Sequence, residues 1–320
     1  AAFSRCFSLV EIRVAENNPA YCSVDGVLFS KDQKMICSYP AGRSQKNYAI
    51  PAGVSDICYE AFAGCSALTS ITIPEGVTGI EYQAFAGCLS LTSVTIPESV
   101  TAIGGGVFYS CSSLSEIRVA ENNPAYCSVD GVLFSKDQKT IYTYPAGRSE
   151  KNYVIPNSVQ YIAAWAFQGC SSLTGVTIPN GVAEIGNGVF SDCSSLAEIR
   201  VEESNPAYCS VGGVLFSKDQ TTIYSYPAGR TSKSYTIPDS VQYIAAFAFQ
   251  GCSSLTSLTI PVRVKNIGYK AFSQCSSLTS LTIPDDVQSV ADLAFSGCDA
   301  LSSLHVQDSE GRILLSFLVS

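Results

Sequence analysis

Fourteen cysteines and a single histidine bound the side-chain chemistry open to this chain. Cys6, Cys65, Cys88, Cys111, Cys170, Cys193, Cys252, Cys275 and Cys298 all fall at one repeated position. Stacked at one coil spacing, such residues have neighbouring Cα atoms about 5 Å apart, within disulfide reach. Their side chains point in parallel, however, which is poor bridging geometry. The ladder therefore reads as reduced, buried thiols that fill space and donate weakly. Cys22, Cys127 and Cys209 form a second equivalent set. Cys37 is replaced by Tyr142 and Tyr224 in sister segments, and Cys58 by Ala163 and Ala245. No C-x-x-C pair exists, so no zinc site and no cofactor is expected.

A Ser-His-Asp triad or a histidine-bearing metal site would have to use His305. No G-x-S-x-G or H-E-x-x-H surrounds it, and it reads as a solvated residue on the last strand. Asp25, Asp32, Asp130 and Asp137 in "SVDGVLFSKD" faintly suggest a calcium loop. The third copy has Gly212 in place of the first aspartate, though Asp219 stays, and the spacing does not match D-x-[DN]-x-[DN]-G. Turn chemistry explains these aspartates. Gly104-Gly105-Gly106 lacks the lysine and strand–helix context of a phosphate cradle and reads as a local turn variant.

What positions these residues is a repeat. The leading leucines are Leu9, Leu68, Leu91, Leu114, Leu173, Leu196, Leu255, Leu278 and Leu301, spaced 59, 23, 23, 59, 23, 59, 23 and 23 residues apart. In the short unit, Leu68, Ile71 and Ile73 alternate as a half-buried strand that Pro74 ends. Val77 and Ile80 turn inward on the return path, and Ala84-Phe85 pack in a tight turn. One coil cannot bury its apolar face alone, whereas stacked coils bury continuous ladders. Phe62, Phe85, Phe108, Phe167, Phe190, Phe249, Phe272 and Phe295 form the expected spine.

Each long unit adds a 36-residue insert, from Ala15, Ala120 and Glu202. "GVLFSKDQKTIYTYP" at Gly131 reads as a hairpin around Lys136-Asp137-Gln138-Lys139, expected to project from the coil. The expectation is one solenoid over residues 1–320 with hairpin-bearing inserts near 15–48, 120–153 and 202–235 and a C-terminal cap near 301–320. Its twelve stacked strands are nine at the leucines and three ending in Ile50, Ile155 and Ile237. "AAFSRCFSL" from Ala1 matches "EAFAGCSAL" from Glu60, so any export signal is expected outside the sequence.

The unit "GCSSLTSLTIP…V…I…AF" and the insert "NPAYCSVDGVLFSKD…YPAGR…YxIP" resemble the BspA-like, Treponema-type leucine-rich repeat of bacterial surface proteins. The match runs from Ala2 to about Val306. The resemblance implies a repeat solenoid with a parallel β-sheet on the concave face, few or short helices and β-hairpin insertions. It also implies a cell-surface or secreted location and binding of host or microbial ligands.

A net charge of −8 argues against nucleic acid or an anionic membrane as the main partner. No apolar run approaches the roughly 18–20 residues that span a bilayer, so no direct membrane insertion is expected. A β-helix-type enzyme fails on residue economy, because repeated carboxylates scattered at turns do not make one cleft. The chain is therefore read as no enzyme but a binding or adhesion module for a protein or glycan, with a structural spacer as the alternative. Three "EIRV" strands carry Glu11 and Arg13, Glu116 and Arg118, and Glu198 and Arg200 where other repeats carry Ser and Thr. These six are the candidate ligand-binding residues. Tyr39, Tyr142, Tyr144, Tyr224 and Tyr226 on the inserts are the alternative aromatic patch.

Overall fold

The computed structural model describes residues 2–3, 6–307 and 313–318. Short strands account for its regular structure, with no helix among the described residues. In chain order, the first insert gives β1 (Tyr21–Val24), β2 (Val27–Ser30) and β3 (Met35–Ser38). The coils after it give β4 (Asn47–Ala49), β5 (Asp56–Ile57), β6 (Ser70–Thr72), β7 (Gly79–Ile80), β8 (Ser93–Ile96), β9 (Ala102–Ile103) and β10 (Glu116–Val119). The second insert gives β11 (Tyr126–Val129), β12 (Val132–Ser135) and β13 (Thr140–Thr143). Then come β14 (Asn152–Val154), β15 (Tyr161–Ile162), β16 (Gly175–Ile178), β17 (Glu184–Ile185) and β18 (Glu198–Val201). The third insert gives β19 (Tyr208–Val211), β20 (Val214–Ser217) and β21 (Thr222–Ser225). The last coils give β22 (Ser234–Thr236), β23 (Tyr243–Ile244), β24 (Ser257–Thr259), β25 (Asn266–Ile267), β26 (Ser280–Pro284), β27 (Ser289–Val290), β28 (Ser303–Gln307) and β29 (Ile313–Leu318).

The chain forms two compact units, Ala1–Arg148 with Tyr161–Cys170, and Ser149–Gln160 with Ser171–Ser320. In each, coils place one strand on the leucine side and one short strand in a second sheet, and the strands that pair between coils run parallel. Leu68, Ile71, Ile73, Val77, Ile80, Ala84, Phe85 and Cys88 of one coil are all buried, as their alternation requires. The architecture is thus a leucine-rich-repeat β-solenoid.

Eleven of the twelve expected leucine-side strands form among the described residues: β4, β6, β8, β10, β14, β16, β18, β22, β24, β26 and β28. Residues 11–14 follow the equivalent path, with the Ile12 N–H bonded to the Gly26 carbonyl at 2.9 Å. They are not assigned as a strand and are held instead by the first insert, the Val14 N–H donating to the Ser23 hydroxyl of β1 at 3.1 Å. At the other end, β29 runs antiparallel to β28, closing the edge of the sheet within the expected cap region. That neighbour leaves His305 half-buried rather than solvated, level with Thr282 on one side and Ser316 on the other.

The inserts do not project. β11, β12 and β13 are an antiparallel meander, and β13 continues in parallel with β15. Val132, Leu133 and Phe134 are consecutive and all at most 1% exposed, so β12 is covered on both faces. The Asp130-Gly131 turn between β11 and β12 has φ of 49° and 77°, the left-handed pair that matches strand twist in a two-residue hairpin. In the third insert Gly212 (φ 55°) takes the aspartate's place at the same left-handed position. The expected turn at Lys136-Asp137-Gln138-Lys139 is present as the second bend of the meander.

Candidate ligand-binding surface

On β10, Ile117 is fully buried while Glu116 and Arg118 point outward, the two-residue period of a strand. The same alternation holds on β18. Each arginine is paired with the glutamate two residues before it. Arg13 grips Glu11 with Nε and Nη2 at 2.9 and 3.0 Å. Arg118 Nη2 lies 2.6 Å from Glu116 Oε2, and Arg200 Nη2 lies 2.8 Å from Glu198 Oε2. The three arginine side chains remain 84%, 63% and 69% exposed. The arginine beside each glutamate, chiefly through the hydrogen bond, holds its carboxyl below the usual carboxylate range.

These pairs sit where a sheet stops. β10 pairs only with β8 among the described residues, and β18 closes the sheet β14-β16-β18. The insert turn occupies the free edge. The Ile117 N–H donates to the Gly131 carbonyl at 2.9 Å, and the Ser128 hydroxyl donates to the Ile117 carbonyl at 2.5 Å. Ile199 makes the same two bonds with Gly213 and Ser210. Capping an edge in this way withdraws it from strand pairing. A side chain on Gly131 would meet Glu116 Cγ at 3.1 Å, so this glycine serves both the turn and the glutamate beside it.

A second guanidinium completes each cluster. Arg148 is half-buried, donates to the Asp130 carbonyl and lies 5.3 Å from the Tyr144 ring centroid. Arg43 bonds the Asp25 and Val10 carbonyls, the latter at 3.0 Å, and covers Tyr39 at 5.3 Å. Arg230 covers Tyr226 at 5.2 Å. Each adds to the downward pull on the carboxyl of Glu116, Glu11 or Glu198. Sequence reading passed over these three arginines, although "YPAGR" recurs in all three inserts. On the ordinary rungs, Ser70 and Thr72, and likewise Ser257 and Thr259, are exposed as expected.

The tyrosine patch is corrected. Tyr39, Tyr144 and Tyr226 are only 3%, 2% and 3% exposed, because each stacks on a core phenylalanine. Tyr142 and Tyr224 are half-buried edge-on to Tyr126 and Tyr208, at 5.4 and 5.3 Å. Of these five, only Tyr142 and Tyr224 keep an appreciable part of their surface accessible. Burial raises the hydroxyl pKa of Tyr39, Tyr142, Tyr224 and Tyr226.

The other candidate chemistries resolve into structure. Core thiols bond the carbonyl of the preceding rung: Cys88 to Phe62 at 3.3 Å, Cys111 to Phe85 at 3.1 Å, Cys275 to Phe249 at 3.2 Å. The Asp137 carboxylate accepts from the Ser135 hydroxyl at 2.7 Å and the Lys139 N–H at 3.1 Å, and Asp32 and Asp219 repeat this turn. Gly104 lies against the backbone of Glu81 and Tyr82, and Gly105 and Gly106 lie against Trp165, whose ring stands edge-on to Tyr82 and Tyr109 at 5.7 and 6.4 Å. Among the described residues no helix is long and apolar enough to cross a membrane.

Fold and rungs together define a leucine-rich-repeat protein. The model of the BspA type leucine rich repeat region matches residues 39–145, 141–218 and 221–314, in six copies. The chain belongs to that family. Among solved structures it is similar to the pneumococcal vaccine antigen PcpA, with 27% identity and a TM-score of 0.54 over 84% of this chain. It spans 58% of that structure's length. A leucine rich cell surface protein from Faecalibacterium prausnitzii A2-165 is also 27% identical, with a TM-score of 0.53, covering 97% of this chain and 76% of that one. Comparison with curated proteins gave no match.

Proposed function

We propose that this chain is a non-enzymatic binding module of a cell-surface or secreted bacterial protein, recognising a protein or glycan through its leucine-side face. The observation that carries the proposal is the Glu–Arg cluster, built the same way on three coils with the arginine left exposed. A planar guanidinium grips carboxylates and sulfates in two-pronged fashion, and its glutamate fixes its orientation. The cell-surface description of the Faecalibacterium relative supports the location.

The test is a glycan array and a panel of host and microbial surface proteins probed with the whole chain, followed by Arg13→Ser, Arg118→Ser and Arg200→Ser combined. Serine mimics the ordinary rungs. Loss of a detected interaction in the triple variant supports the reading. Unchanged binding moves the contact elsewhere, and no binding at all favours a spacer that displays another domain.

A further inference from the structure

One thiol pair stands outside the core ladder. Parallel β3 and β5 set Ile36 level with Ile57, so Cys37 and Cys58 follow side by side on neighbouring strands. Their sulfurs are 3.9 Å apart, with the Cys58 S–H donating to Cys37 Sγ. Both are half-buried and face an open cavity of about 840 Å³ that Tyr21, Met35, Tyr59 and Glu81 also line. Adjacent parallel strands lie within the Cα separation a disulfide spans, and beside the open cavity these two side chains, unlike those packed in the core ladder, have room to turn into bridging geometry. The sister inserts carry Tyr142 with Ala163 and Tyr224 with Ala245 at these positions, so the pair belongs to the first insert alone.

We propose that Cys37 and Cys58 are a dithiol modification site that closes to a disulfide by exchange with disulfide oxidants, fastening the first insert to the following coil. The Cys37 thiolate attacks one sulfur of an oxidant R–S–S–R, giving a Cys37 mixed disulfide and releasing one RS⁻. Cys58 then gives its proton to solvent, and its thiolate attacks Cys37 Sγ and expels the second RS⁻. Two protein thiols are oxidised, and the oxidant takes up both electrons to become two RSH.

The roles follow from the surroundings. The hydrogen bond from Cys58 is the main cause pulling the Cys37 thiol below its usual pKa, and the same contact pushes Cys58 up. Cys37 is therefore the attacking sulfur and Cys58 the resolving one. The core thiols contrast with Cys37: Cys65 is buried and pushed up to about 12, and Cys88, fully buried, is pushed up chiefly by its contact with Cys111.

The test uses the whole chain with exposed Cys6 replaced by Ser, incubated with oxidised glutathione and cleaved at Lys, Arg and Glu. Residues 35–43 then carry Cys37 alone, and residues 47–60 carry Cys58 alone. The expected product is these two peptides joined, with the loss of two hydrogens, and a urea midpoint that rises on oxidation. In Cys58→Ser, Cys37 should stop at a stable glutathione adduct, whereas Cys37→Ser should slow modification of Cys58 at least tenfold. Joined peptides absent from the wild-type digest, or an adduct that falls first on Cys58, would overturn the assignment.

Discussion

Tyr144 stacks on Phe167 with ring centroids 5.3 Å apart and planes 20° from parallel, so the aromatic spine of the solenoid begins on the insert. The same contact joins Tyr39 to Phe62 and Tyr226 to Phe249, and the stack continues as Phe62–Phe85–Phe108 and Phe249–Phe272–Phe295. Phe167 is fully buried, whereas Phe295 is half-buried. Phe167→Ala should lower stability by about 3–5 kcal/mol through lost transfer energy and an unfilled cavity. Phe295→Ala should cost clearly less. Urea titrations that give equal, negligible losses at both positions would contradict the stacked core.

Asn123 predicts a second stability hot spot. It is fully buried, and its amide donates to the Pro97 and Val100 carbonyls at 2.7 and 2.9 Å. Its carbonyl accepts from the Ala125 and Tyr126 N–H groups at 2.9 and 2.8 Å, so one side chain ties the start of the insert to the coil before it. Asn123→Ala removes four hydrogen bonds between one buried side chain and the backbone and should cost about 3 kcal/mol. Asn18 accepts the equivalent two N–H bonds but is only half-buried. Asn18→Ala should shift the urea midpoint much less, and a larger effect at Asn18 than at Asn123 would refute this ranking.

The repeat period located the coils, the buried alternation and the phenylalanine rungs because each rests on local pattern. Tyr144 and Phe167 are also 23 residues apart, but "YPAGR" in place of "AFxGC" hides the shared rung. That is why three buried tyrosines read as a surface patch. The continuous apolar run Val132-Leu133-Phe134 marked a strand covered on both faces, yet a hairpin pattern does not say which surface it lies on. The edge-capping role of Gly131 and Ser128 depends on a strand some dozen residues upstream, which no local window contains. The Glu–Arg rungs were legible because their outward positions follow directly from strand alternation, whereas Arg43, Arg148 and Arg230 reach them only through tertiary contact.

Gly147 and Gly53 should respond to alanine in opposite ways. A Cβ on Gly147 would lie 2.5 Å from the Ser113 carbonyl carbon and 2.6 Å from its oxygen, while its N–H bonds the Leu114 carbonyl at 2.7 Å. Backbone cannot yield as a flexible side chain can, so Gly147→Ala should cost about 2 kcal/mol or more. Gly53 has nothing within 4 Å of the same position. Gly53→Ala should be neutral or raise stability by about 0.5 kcal/mol through a less flexible unfolded chain. Thermal unfolding of the two variants distinguishes them, and matched melting temperatures would contradict the close approach.

The glutamates give a prediction that separates stability from recognition. Glu116 lies between Arg118 and Arg148, which hold its carboxyl below the ordinary value of 4.5. A carboxyl depressed on folding adds stability that is present above its unfolded pKa and lost as pH falls through the folded value. The glutamate side chains are 44%, 41% and 44% exposed, so solvent screens the pairs, and Glu11→Gln, Glu116→Gln and Glu198→Gln combined should barely move the urea midpoint at pH 7. The variant should also lose less stability than the wild type on acidification below pH 4.5. If the arginines anchor a ligand, the carboxylates next to them also repel simple polyanions. The triple glutamine variant should then bind a sulfated polysaccharide that the wild type ignores, with affinity falling as salt rises. Equal binding by the two proteins, measured by calorimetry at low and at physiological salt, would show that the glutamates do not gate this face.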